Sequence, residues 1–148
     1  MTQPTLLPAE KPWIKFAVYG LPAPQGSSRA FIPKGWTRAV ITTDNTKLKP
    51  WRQEIAYTAK AAMDDAFLLP LKRDVGVQVN IVFYFPRPKS VKKSVVHKTT
   101  KPDLDKLTRA AWDAMTGIVF EDDSQVCRGW IEKAFGGVAR AEIEVIKL

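Results

Sequence analysis

The run VGVQVNIVFYF, Val75 to Phe85, does most to limit what this chain can fold into. It is rich in β-branched and aromatic residues, and Val75, Val77, Val79, Ile81 and Phe83 alternate onto one face. A strand of this kind needs partners along its edges and an apolar layer on its face. The rest of the sequence offers both. WIKFAVYG alternates in the same way and predicts a strand from Trp13 to Tyr19. LPAPQGSS is a loop by its Pro, Gly and Ser content. RAFIPKGWTRAVIT reads as two short extended arms about Pro33-Lys34-Gly35, a hairpin. VCRGWIEKAF is expected to be one strand, Gly136-Gly137 a tight turn, and VARAEIEVIKL a last strand with Ala141, Ile143 and Val145 set against Glu142 and Glu144.

Two segments carry the helical period instead. From about Leu48 to Phe67, Trp51, Ile55, Thr58/Ala59, Ala62 and Ala66 keep one face, and Pro50 falls in the first turn, where its missing N–H costs little. A second helix is expected to start near Pro102-Asp103, with Leu104, Leu107, Ala111, Ala114/Met115 and Ile118 on its buried face, and to end at Gly117. This order predicts an α+β fold, a mixed β-sheet with two main helices packed on it. With 148 residues, a single domain is expected over 12–148, after a flexible tail over 1–11. The stretch PRPKSVKKSVVHKTTKP, within a basic loop at 86–102, is polar and bracketed by prolines and reads as mobile.

Charge narrows the function. The formal net charge is +8, and it is unevenly spread. No acid lies between Glu10 and Asp44, where Lys11, Lys15, Arg29, Lys34 and Arg38 stand. None lies between Asp74 and Asp103, where Arg87, Lys89, Lys92, Lys93, Lys98 and Lys101 stand. Such stretches suit a polyanionic partner. The single cysteine, Cys127, excludes an internal disulfide and a zinc site of paired cysteines, and fits a reducing, cytoplasmic setting. MTQPTLLPAEKPW has no basic start followed by a long apolar run, so it is not read as a signal peptide, and no apolar run approaches a membrane span.

Against this basic background, Lys101 to Val126 gathers Asp103, Asp105, Asp113, Glu121, Asp122 and Asp123, six of the fifteen acids. Asp103 and Asp105 open the second helix. On a formed helix they would point about 200° apart, but a non-helical backbone at Asp103 would let them converge. Taken alone, PDLD favours helix capping over catalysis. Glu121-Asp122-Asp123 follows the helix, and alone reads as a solvated turn. A helix of about fourteen residues spans about 20 Å, so the clusters meet only if GIVFEDD folds back along it. Ile118, Val119 and Phe120 would favour that packing. The carboxylates would then suit Mg²⁺, with its oxygen ligands and retained waters. Spacing leaves the choice open. Lys106 and Arg109 are the cations beside them: Arg109 could pair with Asp105 on the helix surface or hold a phosphate. His97, alone in the basic loop, has no partner in the spacing that would make it a general base.

KPDLDKLTRAAWDAMTGIVFEDDSQVCRGWIEKAFG resembles the RusA-type Holliday junction resolvases, through PDLDxL, the following DAM and EDDSQV together, and the likeness extends more loosely to YGLPAPQGSSR. The resemblance implies a RusA-like fold, a homodimer, a need for Mg²⁺ (or Mn²⁺), and paired nicking of four-way DNA. It also implies that the two acidic clusters meet and bind metal. By position it makes Asp103, Asp105 and Asp123 metal ligands, with Asp122 a helper. The lysine that the family places four residues after the second aspartate is Arg109 here, while Lys106 stands one turn earlier on the helix, so either cation is a candidate for its role. DNA contacts are expected from Arg29, Arg87, Lys89, Lys92, Lys93, Lys98 and Lys101. LLPLK, Trp36, Trp112 and Trp130 are candidates for dimer or DNA contact, or for core. Two alternatives remain: a nuclease for flaps or forks, and a branched-DNA-binding protein of the same fold with impaired catalysis.

Overall fold

Val77–Phe85 forms the strand, β4, around which the sheet is built. The structure, a computed structural model, describes residues 11–26, 28–43 and 46–148, and for 28–31 and 40–43 the backbone alone. The expected tail, save Lys11, lies outside the described residues. In chain order the elements are β1 (Ile14–Tyr19), β2 (Ser28–Phe31), β3 (Val40–Thr43), α1 (Leu48–Asp65), β4, α2 (Leu104–Met115), a one-turn 3-10 helix (Asp123–Gln125), β5 (Val126–Arg128), β6 (Ile131–Phe135) and β7 (Arg140–Lys147). β7 lies between β1 and β4, antiparallel to both, while β5 and β6 run parallel along the other edge of β4. The result is the expected mixed sheet with two helices, an α+β fold. β2 and β3 form a separate antiparallel pair, with Gly35 at φ +84° in the loop between them and Trp36 N–H donating to Pro33 O at 3.0 Å.

The alternation along β4 decides where the core sits. Val77, Val79, Ile81 and Phe83 are fully buried, and Phe16 and Val18 of β1 and Ile143 and Val145 of β7 join them in one cluster. The helices contribute Trp51, Ile55, Ala59 and Met63 from α1 and Leu107, Ala111 and Met115 from α2. On α1 the buried stripe continues through Met63 rather than Ala66, because the helix stops at Asp65. Val75 lies just outside the strand, its N–H turned back onto Lys72 O.

VCRGWIEKAF is not one strand. It breaks at Gly129-Trp130 into β5 and β6, because the chain there presses against the backbone of β4. A Cβ on Gly129 would lie 2.1 Å from Val79 O, so only glycine passes. Beyond it Trp130 N–H donates to Asn80 Oδ1 at 3.0 Å, and Trp130 O accepts from Ile81 N–H at 2.8 Å, which restarts the pairing in the register of Gln78 with Arg128; the one-residue shift lies earlier, between Val77 and Gln78.

At the end of α2 the chain does fold back. Gly117 takes φ +83°, and its N–H donates to Phe120 O at 2.7 Å. Val119 and Phe120 are fully buried, and the segment is fixed to the turn after α1 by Leu71 N–H to Val119 O (3.0 Å) and Glu121 N–H to Leu71 O (3.1 Å). Asp122 and Asp123 are thereby returned to the flank of α2. No helix among the described residues is long and apolar enough to cross a membrane.

Candidate active site

One face of α2 carries Asp105, Thr108, Arg109 and Trp112, at the i, i+3, i+4, i+7 spacing that aligns side chains along a helix. With Leu104, Asp123 and Ile131 of β6 they line a cleft of about 680 Å³. Asp105 and Asp123, from the two acidic clusters, therefore share one cleft with Arg109. Thr108 is committed elsewhere, its Oγ1 donating to Leu104 O at 2.7 Å.

Within Glu121 to Gln125, four of the five side chains hold the turn together. Glu121 accepts from Arg73 N–H at 3.1 Å. Asp122 and Gln125 form a reciprocal capping box at the 3-10 turn, and Ser124 Oγ donates to Asp122. These bonds hold the Asp122 carboxyl below its ordinary value, the Ser124 hydroxyl being the largest cause. Gln125 is 5% exposed and reaches across to donate to Leu71 O (3.3 Å), Lys72 O (2.6 Å) and Val75 O (3.1 Å). Asp123 alone is turned to the cleft. Asp113, two helical turns after Asp105, acts on it from α2; burial first, then the charges of Asp113 and Asp122, push its carboxyl above the ordinary value.

Two carboxylates so close need a shared proton or a cation. A hard divalent ion fits this donor set. Mg²⁺ is held by one or two carboxylates with waters and substrate phosphates rather than by an all-protein cage. Among the described residues no group of three or more His, Cys, Asp or Glu side chains is close enough to hold an ion by itself; Asp105 and Asp123 are the two carboxylates that line the cleft, and Asp113 acts on Asp123 from beside it. Asp103 is at the N-cap position of α2, at φ −71° and ψ 139°, but its side chain makes no cap hydrogen bond, and it does not line the cleft. Lys106 is also off the cleft, its carbonyl accepting from Gln25 N–H at 3.0 Å. Of the two candidate cations, Arg109 is the one that lines the cleft.

The basic stretch divides in two. Residues 96–98 lie along the free edge of β6, with His97 opposite Ala134, Phe135 N–H donating to Val96 O at 2.9 Å, and Lys133 Nζ donating to Thr100 O and Pro102 O at 2.8 and 2.9 Å. His97 pairs with Glu132 at 3.1 Å. Arg87 donates to Lys92 O and Val95 O and stacks on Phe135, and Lys98 lies over Phe85 and Phe135. These two cations fasten the stretch to the sheet. Lys89, Lys92, Lys93 and Lys101 are exposed. Arg29 lies on β2, and its side chain is outside the described residues. Arg87→Lys removes the fork that holds two carbonyls at once, so it is expected to destabilise the protein by about 1 kcal/mol. It should also make 88–98 the first site of limited trypsin cleavage, whereas Lys92→Gln should leave both properties unchanged.

Asp113 and Gln125 are the site residues that the sequence did not single out. For Asp113 a signal existed, since it continues the Asp105–Arg109 spacing by one more turn. Gln125 gave none, because its partners are some fifty residues away in the chain.

Comparison with known proteins agrees with this architecture. The chain is 32% identical over 143 residues to a protein of Bacillus subtilis (strain 168) described as "Uncharacterized protein YqaN", covering 89% of this chain and 94% of that one. Residues 22–146 match the family described as Endodeoxyribonuclease RusA, a span that takes in the cleft, both helices and most of the sheet, and the chain belongs to that family.

Proposed function

We propose that this protein is a Mg²⁺-dependent endodeoxyribonuclease that resolves four-way DNA junctions by paired nicks, acting as a homodimer in the cytoplasm of a bacterial cell. One observation carries the reading: Asp105, Asp123 and Arg109 line a single cleft in a chain of the RusA family. Asp105 and Asp123 would hold the ion, and Asp103, exposed beside the cleft, would join them when substrate is bound. Mn²⁺ would serve as well, having the same preference for oxygen ligands. The ion supplies Lewis acidity at a phosphoryl oxygen and makes a water more acidic. Arg109 donates to the phosphate as charge builds on it. Asp122 keeps Asp123 in place through the capping box. Lys89, Lys92, Lys93 and Lys101 bind the DNA backbone, which sets register but reads no sequence. Selection of a branch comes from two such clefts at fixed spacing across a two-fold axis. The exposed Phe67 and Leu69, 95% and 83% accessible, are suited to burial between subunits.

The test is cleavage of a labelled four-way junction in Mg²⁺, with linear duplex and a flap as competitors and Asp105→Asn beside the wild type. Symmetric nicks on the junction that the variant lacks are the expected result. Preferred cutting of the flap would replace the substrate. Tight junction binding with no cutting by either protein would remove the enzymatic reading.

A further inference from the structure

A second cavity, of about 620 Å³, opens between the first two turns of α1 and the C-terminal half of α2, and is lined by Gln25, Lys49, Arg52, Gln53, Asp113 and Thr116 among others. It adjoins the catalytic cleft: Asp113 and Ala114, which line the second cavity, directly follow Trp112 along α2, and Trp112 lines the cleft with Asp123. Its charge is cationic. Among the described residues neither Lys49 nor Arg52 is in an ion pair, although other α1 and sheet lysines are: Lys60 with Asp64 at 2.8 Å and Lys15 with Glu144 at 3.5 Å. The one acid in the lining, Asp113, is engaged with Asp123. Gln25 is held here by its backbone bond to Lys106 O, yet its side-chain Oε1 is buried with no hydrogen-bond partner. Turned over, that amide presents its N–H₂ to an anionic oxygen.

Two unpaired cations and an uncommitted amide, one carboxyl pair away from the reacting centre, make a site for an oxyanion on a ligand already in the cleft. We propose that this cavity binds a backbone phosphate of the cut DNA strand next to the scissile one, gripped by Lys49 and Arg52. The strand then runs along α2 toward α1 as well as toward the basic stretch at 87–101. This rests on the nuclease reading above.

The experiment measures binding of a labelled four-way junction, without divalent metal, over a series of salt concentrations. Lys49→Gln/Arg52→Gln is compared with Lys15→Gln/Lys60→Gln, which removes the same charge from paired surface lysines, and with the single exposed change Lys49→Gln, which guards against a folding defect. Taking one cation away from a phosphate flattens the dependence of log affinity on log salt by about 1. The first pair should therefore flatten the slope by about 1 to 2 and weaken binding about tenfold, with Lys49→Gln intermediate and the control pair near wild type. Equal effects of the two pairs, or no effect of either, overturn the proposal while leaving the nuclease reading intact if the wild type still cuts junctions. A wild type that neither binds nor cuts branched DNA defeats both.

Discussion

Asp123→Asn is expected to lower junction cleavage in Mg²⁺ about a hundredfold or more, since changes even one shell outside a metal cost about 10–100-fold, and at the same time to stabilise the metal-free protein. The second effect is the sharper test. A carboxyl that serves structure loses stability when neutralised, whereas one held against another carboxyl for the sake of a cation gains it. The Asp123 carboxyl is raised by burial and by Asp113 and Asp122, so in the pH window between its ordinary and its folded value the native state binds more protons than the unfolded chain. Stability therefore falls as pH rises through that window, and the loss persists at neutral pH. The Asn variant escapes it. Its melting temperature should match wild type below about pH 3, where the carboxyl is protonated in both states, and exceed it by about 1–3 °C at neutral pH, the size expected of one partly solvated like-charge pair. Added Mg²⁺ should raise the wild-type melting temperature and reverse the order, because only the wild type keeps both ligands. A variant that still cuts, or that melts lower than wild type in metal-free buffer at pH 7, would return Asp123 to a structural role.

The fold was legible where a single period governed the residues. β4 alternates over nine residues, and the two helical stripes hold their spacing, so the sheet and the helices could be read from pattern, while spacing left the return of GIVFEDD open and only the family resemblance implied it. The break at Gly129 could not, because its cause is the backbone of β4 fifty residues earlier, not anything within VCRGWIEKAF. The site was legible in its residue types but not in their commitments. By spacing alone EDDSQ presents three acids of equal standing, and only the family resemblance set Asp123 apart as a ligand with Asp122 as a helper. The structure assigns Glu121 to Arg73, Asp122 to a cap and Asp123 to the cleft, a division that depends on which tertiary partner each one meets. The basic stretch likewise looked uniform. Phe85 and Phe135, which lie outside it, are what hold Arg87 and Lys98 against the sheet.

Gln125→Met should cost about 2–3 kcal/mol, read as a lower urea midpoint at unchanged slope. Methionine fills nearly the same volume, so the loss is one of hydrogen bonding rather than packing. The four bonds of the amide are not equal. Leu71 O keeps a donor in Glu121 N–H, and Lys72 O keeps one in Val75 N–H, at 3.1 and 2.9 Å. Val75 O and Asp122 N–H have the amide as their partner, at 3.1 and 2.9 Å, and these are the groups left bare. Two such groups at about 1–3 kcal/mol each, both half-buried, set the size of the effect. Gln125→Glu should be worse than Met despite its closer shape, because it sets a carboxylate against three carbonyls. Either change frees the turn that carries Asp123, so cleavage should fall about 10–100-fold under conditions where the variant is still folded, the range for residues that orient a metal ligand. Full activity in a destabilised Met variant would show that the Leu71–Phe120 backbone pairing alone is enough to aim Asp123 at the cleft.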